Sequence, residues 1–353
     1  MKGPSRTALT ITATAFIVIA AAGSAVASLK HYDQQAAAGP AAGSGSAPSA
    51  SATSPALPKV VQASLPATPA SYLGVYEGSD LSASQLTPVE QFGQAVGRQP
   101  NLVLYYSSWG EPFSSSFAQA ALKDGATLLA DVDPTSVSCA SIAAGEQDAY
   151  LTSYAESVKS FGKPVIISFG HEMNGNWYQW GWTHTPPADF VQAWRHIVDV
   201  FREVGADNVT WLWTVNSVNS TEGPIADYWP GADYVTWVAF DAYYYFAGDD
   251  FSGVFGGTIA AIRQLTNKPI LIGETAVGQV AGQAAEIPGL LAGVAGSGLL
   301  GLVWYDQNDE AEGGPYKQDW QLEGHPYAIA AFRTALAQYF AQPATSTPPP
   351  PTP

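Results

Sequence analysis

The sequence is short of cysteine, of basic side chains and of long apolar runs, and each shortage removes a class of protein. One cysteine, Cys139, stands in 353 residues. No internal disulfide can form, and no Cys/His cluster has the spacing of a zinc site. Lys and Arg total 14 against 30 Asp and Glu, a formal net charge of −16. A protein of that sign repels phosphate backbones, which argues against nucleic-acid partners. Residues 1–70 hold Lys2, Arg6, Lys30 and Lys59 against Asp33, so the remainder is more acidic than the whole. Beyond residue 27 no apolar run is long enough to span a bilayer. The stretch Gly74-Val75-Tyr76-Glu77-Gly78 is no glycine-rich phosphate loop, which disfavours a doubly wound nucleotide-binding sheet.

The ends of the chain read differently from its middle. Behind Lys2 and Arg6, Thr7–Ala27 carries no charge, and Ala25-Val26-Ala27 is a cleavage site for an export signal. Left uncut, the same run could anchor the chain in a membrane. The expectation is a secreted protein, or one tethered at the cell surface by residues 1–30. Residues 31–70 are Ala, Gly, Ser and Pro and read as a flexible linker, since they bury too little surface to offset ordering. Residues 343–353 read as an extended Pro/Thr-rich tail. Residues 71–342 remain for one large domain, expected to be monomeric.

Within that domain eight short apolar runs alternate with stretches of helical length. The runs are Tyr72–Tyr76, Leu102–Tyr106, Thr127–Val132, Pro164–Phe169, Val209–Val215, Tyr234–Phe240, Pro269–Gly273 and Gly301–Tyr305. Most are apolar on both faces, as strands covered on both sides are. Helices are expected at Glu146–Phe161, Pro187–Val204, Val254–Leu265, Gln283–Ala295 and Pro326–Phe340, and irregular segments after the second and fifth runs. The pattern is that of an α/β chain folded as a (β/α)8 (TIM) barrel, in which the C-terminal ends of all strands share one mouth.

Two carboxylates stand at such ends, Glu172 after the fourth run and Glu274 after the seventh. Glycoside cleavage needs a pair of this kind: one acid protonates the departing oxygen, and the other attacks the sugar carbon or activates water. The pair should differ, with Glu172 raised and protonated among apolar rings and Glu274 kept ionised by hydrogen-bond donors. Aromatic rings stack on the apolar face of a pyranose. Trp109, Trp177, Trp180, Trp182 and Trp304 are candidates, whereas Trp194, Trp211, Trp213 and Trp237 read as core. Asn216 could face a sugar. Asp131 and Asp133 read first as an Asp-Pro turn, and Asp306, Asp309, Glu310 and Glu312 as a solvated loop with no calcium spacing. His184 and His196 read as ordinary loop and helix residues.

The stretch His171-Glu172-Met173-Asn174-Gly175 with Trp177 and Trp180-Gly181, together with Ile272-Gly273-Glu274-Thr275, resembles glycoside hydrolase family 26. The resemblance runs from about Ser71 to Gln342. That family holds mainly endo-β-1,4-mannanases, with some β-1,3-xylanases and mixed-linkage β-glucanases. The resemblance implies a retaining enzyme with Glu172 as acid/base and Glu274 as nucleophile. It implies that His171 shapes the subsite of the cleaved sugar, that Trp177 lines the cleft and that Trp304 forms the sugar platform. Tyr243, or the adjacent Tyr244, would hydrogen-bond the nucleophile. The family often carries an arginine where this chain has Ser168. Mannan is the substrate that family frequency favours, no cofactor is implied, and the partner is a β-linked polysaccharide. Two other readings remain open: a carbohydrate-binding barrel without catalysis, and a transglycosylase or cell-envelope glycan enzyme using the same residues.

Overall fold

A computed structural model describes residues 61, 64–78, 86–278 and 282–340. The expected signal, most of the expected linker and the tail lie outside the described residues. Eight strands close into a parallel barrel in chain order. They are β1 (Tyr72–Tyr76), β2 (Leu102–Ser108), β3 (Thr127–Asp133), β4 (Val165–Phe169), β5 (Val209–Asn216), β6 (Trp237–Asp241), β7 (Ile270–Thr275) and β8 (Gly301–Tyr305). Closure is made by β1 on β8, in register from Tyr72 against Gly301 to Tyr76 against Tyr305. The strands are apolar on both faces because helices cover the outside and side chains fill the inside.

The helices are α1 (Thr87–Val96), α2 (Ser115–Lys123), α3 (Cys139–Ala143), α4 (Asp148–Phe161), α5 (Pro187–Val204), α6 (Phe251–Leu265), α7 (Gln283–Gly296) and α8 (Pro326–Tyr339). Helix α5 is marked at both ends: Pro187 opens it, and Gly205 closes it in the left-handed region at φ 76°. It buries Phe190, Trp194, Ile197 and Phe201 on one face. The segment after β2 is not wholly irregular as expected, since it contains α2. Three serines open that short helix, and burial of Phe117, Ala118 and Ala121 stabilises it where propensity alone would not. After β5 the expectation holds, with only a single 3-10 turn at Ile225–Tyr228. No described helix is long and apolar enough to cross a membrane.

The expected linker stops short of residue 70. The Ser64 amide donates to Thr210 Oγ1 at 3.0 Å, the Ala70 amide to Leu299 O at 2.8 Å, and the Tyr72 hydroxyl to Pro66 O at 2.7 Å. Leu65 packs on the core. These contacts order a stretch whose composition alone reads as flexible.

Two register shifts interrupt an otherwise regular barrel, one at Phe240/Asp241 between β6 and β7, the other at Ile272/Thr275 between β7 and β8. Such irregularities re-aim side chains. Here they flank Asp241 and Glu274, and so fix how these carboxylates enter the mouth.

Candidate active site

The chain leaves β4 through a strained turn. Gly170 has φ 56° and Glu172 φ 53°, both in the left-handed region. For glutamate that conformation costs ~1–3 kcal/mol and must be held by its surroundings. The Glu172 amide donates to Thr214 O at 3.0 Å, Gly170 N to Val132 O at 3.1 Å, and Trp180 Nε1 to His171 O at 2.7 Å. Trp180 is itself stacked on Tyr178 at 4.3 Å. Asn174, fully buried, ties the turn to the end of β5: it accepts from Asn216 N at 2.8 Å and donates to Asn216 O at 3.1 Å and Glu222 Oε2 at 2.9 Å.

This scaffold presents Glu172 to two donors. Trp177 Nε1 reaches one carboxylate oxygen at 2.9 Å, and Asn216 Nδ2 reaches the other. Burial raises the Glu172 carboxyl above its ordinary range, while His171, Asn216 and Trp177 oppose the shift.

On the other side β7 delivers Glu274, 2 % exposed. The Tyr243 hydroxyl donates to its Oε2. Tyr244, the open alternative, points away and packs on Phe255 at 5.5 Å between centroids. The Tyr243 phenol is raised mainly by burial and also senses the Glu172 charge. Tyr243, not Tyr244, is thus the residue that bonds Glu274. Burial, with Asp309 adding to it, pushes Glu274 up to about 8. The expected contrast between a raised acid and an ionised partner is therefore absent from the free site. Both glutamates are raised, because the barrel interior desolvates both and supplies Glu274 with a single neutral donor.

Gly273 shows why that position bears no side chain. A Cβ there would stand 2.5 Å from Asp241 Oδ1 and 3.2 Å from Ala239 Cβ. Gly273→Ala should therefore cost about 1–3 kcal/mol and disturb Glu274 through Asp241. A thermal melt together with activity per folded molecule checks this, and a variant matching wild type in both would contradict it.

His171 is buried between carboxylates. Its Nδ1 lies 3.0 Å from Asp133 Oδ1 and 3.9 Å from Asp131 Oδ1, and its Nε2 is 3.1 Å from the Tyr178 hydroxyl. Burial alone would lower its pKa, but Asp133 and Asp131 override it and hold the imidazole well above its usual value. Asp133 is thus more than the turn residue expected from Asp-Pro. Asp131, Asp133 and His171 are the group among the described residues whose atoms are close enough to share a metal ion, within 4.8 Å of one another. Asp133 and His171 already satisfy each other. Ser168, at the position where the resembled family often carries arginine, shares a buried hydrogen bond with Thr214 at 3.0 Å.

The buried acids make a sign-definite prediction. Burial pushes Glu274 and Glu222 up to about 8, and burial with Asp306 pushes Glu77 up to about 9. Each binds its proton more tightly folded than unfolded, as does His171. The stability this supplies is complete below the unfolded glutamate value and is lost as pH rises through the folded values. Tm should fall by roughly 5 °C or more between pH 5 and pH 9. A Tm that climbs across this window would contradict the assignment.

Two of the expected sugar platforms are elsewhere. Trp304 is fully buried on the outer face of β8, edge-on to Phe332 of α8 at 5.1 Å, with its Nε1 donating to Asp306 Oδ1 and Trp320 O. Strand alternation explains this: Tyr305, one residue on, faces the mouth, stacking on Tyr76 at 5.2 Å and meeting Tyr243 edge-on at 5.8 Å. Trp109 packs on Tyr150 and Phe169 behind the barrel wall. Trp180 supports the turn from beneath, whereas Trp177 is half-buried in the cleft and Trp182 is 39 % exposed. The acidic loop divides. Glu310 and Glu312 are exposed, but Asp306 and Asp309 are buried, Asp306 accepting from Leu322 N at 2.8 Å. His184 is an exposed loop residue bonded to Asn176 O, and His196 pairs with Asp148 between helices. Asp241 reads from the sequence only as a strand end at the mouth, and Tyr245 and Trp320 carry no expectation. The alternation Tyr243-Tyr244-Tyr245 is the signal that could have found the second of them.

The architecture is a (β/α)8 barrel whose mouth holds two buried glutamates, on β4 and β7, each bonded by residues of a neighbouring strand. The model of glycosyl hydrolase family 26 matches residues 141–282, a span that includes Glu172, Asn216, Tyr243 and Glu274. The chain is 30 % identical over 299 residues to endoglucanase H of Acetivibrio thermocellus, covering 78 % of this chain and 32 % of that protein. It is 29 % identical over 96 residues to a mannan endo-1,4-β-mannosidase of Bacillus subtilis, covering 25 % of this chain and 26 % of that protein. The chain therefore spans about a third or less of these two relatives' lengths. The catalytic domain of a family 26 endo-β-1,4-mannanase from Bacillus sp. JAMB-750 shares the fold. Its TM-score is 0.58 at 16 % identity, over 77 % of this chain and 87 % of that one.

Proposed function

We propose that the chain is a retaining endo-glycosidase that cleaves a β-linked polysaccharide. The observation that carries this reading is one level of the barrel: Asn216, which bonds Glu172, stands beside Asp241, which stands beside Glu274, itself bonded by Tyr243. Two acids from strands three apart in the barrel thus stand at the same end of it. Glu172 acts first as the acid: its proton passes to the glycosidic oxygen as the bond to the anomeric carbon breaks. Glu274, ionised for this step, attacks that carbon and forms a glycosyl ester. Glu172, now a carboxylate, then takes a proton from water, which attacks the ester and frees Glu274. Tyr243 and Asn216 hold the two carboxylates in place, and Trp177 lines the subsite beside Glu172. Chemistry of this kind needs only the side chains present. The N-terminal segment would place the enzyme outside the cell, free or tethered.

Mannan is the preferred substrate, supported by the mannanase names among the relatives and structural neighbours. A β-glucan is the second reading, favoured by the much longer match to the protein named endoglucanase H. Incubation with β-mannan, β-1,3-xylan and mixed-linkage glucan, read by reducing ends and product size, separates them. Internal cuts in mannan are expected. Internal cuts in glucan alone would move the assignment to the second reading, and no cleavage of any would remove the hydrolase reading.

A further inference from the structure

We infer that the loops after β6 and β8 build an outer sugar-binding subsite, centred on Phe246 and Tyr316, for a polysaccharide unit remote from the cleaved bond. The inference rests on the glycosidase reading for its ligand class. Its starting point is an anomaly, since Phe246 is 51 % exposed although it stands in a loop that is firmly built. Asp249 Oδ2 accepts from both Tyr245 N and Phe246 N at 2.8 Å, and Glu286 Oε1 accepts from Gly248 N at 2.8 Å. Gln318 Nε2 binds Tyr245 O at 2.9 Å and so ties this loop to the one after β8. Phe246 does not stand singly but adjoins Tyr245 and Tyr316 on a loop fixed by these bonds, and such a contiguous exposed patch signals a contact surface.

The ring is also continuous with the catalytic centre. Tyr243 and Tyr245 share the cleft side, with Tyr244 turned outward between them. Their centroids are 5.8 Å apart, and Tyr245 meets Tyr316 edge-on at 5.0 Å. Tyr316 in turn meets Phe246 edge-on at 5.9 Å. These are contact distances for packed rings, so the four rings form one continuous aromatic wall from the residue that bonds Glu274 out to the exposed Phe246. Tyr245 also meets Trp320 edge-on at 5.5 Å, and Trp320 lies 5.0 Å from Tyr243, so these rings form one cluster. Half of the Phe246 side chain remains exposed beyond these pairings. A neutral pyranose suits it, offering an apolar C–H face for stacking and no charge to meet the surrounding carboxylates.

The test compares Phe246→Ala, Phe246→Tyr and the remote exposed-ring control Tyr327→Ala. The readouts are kcat/KM on polysaccharide and on a short activated aryl glycoside, and gel retardation by the polysaccharide in a Glu274→Gln background. For Phe246→Ala the ratio of polysaccharide to aryl-glycoside kcat/KM should fall about tenfold, through KM, and retardation should weaken. Phe246→Tyr should restore both, and Tyr327→Ala should match wild type. An unchanged ratio with unchanged retardation overturns the inference, and so does a polysaccharide that never retards the parent protein. If the Glu274→Gln protein is retarded through Phe246 yet the wild-type protein cleaves nothing, the hydrolase reading fails and the subsite stands.

Discussion

Glu274→Gln should abolish turnover of polysaccharide and activated aryl glycosides alike, by ~10⁴-fold or more. The amide cannot form the glycosyl ester, and no leaving group, however good, replaces the missing nucleophile. The substitution keeps the side chain's shape and an oxygen that can accept from Tyr243, so the fold should survive. A melt confirms this, and steady-state kinetics on both substrate types read the loss. Wild-type rates in Glu274→Gln would remove the nucleophile assignment. Loss on polysaccharide alone would instead make Glu274 a binding residue.

Glu172→Ala should split the two substrate types. Cleavage of a polysaccharide needs its leaving oxygen protonated and should slow by about 10²–10⁴-fold, the usual worth of general acid catalysis. An aryl glycoside with an acidic phenol needs little protonation and should still form the glycosyl ester. Hydrolysis of that ester then lags, since no base activates water, and a burst of phenol should precede a slow steady state. Added azide, which needs no base, should restore turnover and yield a glycosyl azide of retained configuration. Equal loss on both substrates without azide rescue would show that Glu172 is not the acid/base. Replacing Glu172 also removes the acceptor of Trp177 and Asn216, so KM should shift as well as kcat.

Much of the fold is legible in the chain itself. Eight short runs, most of them apolar on both faces, have the length of covered strands, and β1 and β8 are bounded as those runs imply. Helix α5 is legible because Pro187 and Gly205 mark its ends and its apolar residues recur at helical spacing. The two glutamates are legible because each closes an apolar run that has no use for a charge. What escapes reading depends on register and on distant contacts. Trp304 and Tyr305 differ by one residue, and one residue decides between the outer wall and the mouth. The left-handed turn at Glu172 is held by Thr214 and Trp180, which nothing local announces. The approach of Asp133 to His171 crosses 38 residues. Helix α2 is stabilised by burial rather than propensity. The raised pKa of Glu274 follows from enclosure by the whole barrel, which no local pattern reveals.

The central claim is that Glu274 attacks sugar carbon in a cleft that Glu172 shares. Incubation with an activated 2-deoxy-2-fluoro glycoside slows release of the glycosyl ester, and peptide mass spectrometry then locates it. The account predicts one fluoroglycosyl adduct on the peptide containing Glu274, absent from Glu274→Gln and still formed in Glu172→Ala. An adduct on another carboxylate, or inactivation without any adduct, would contradict it.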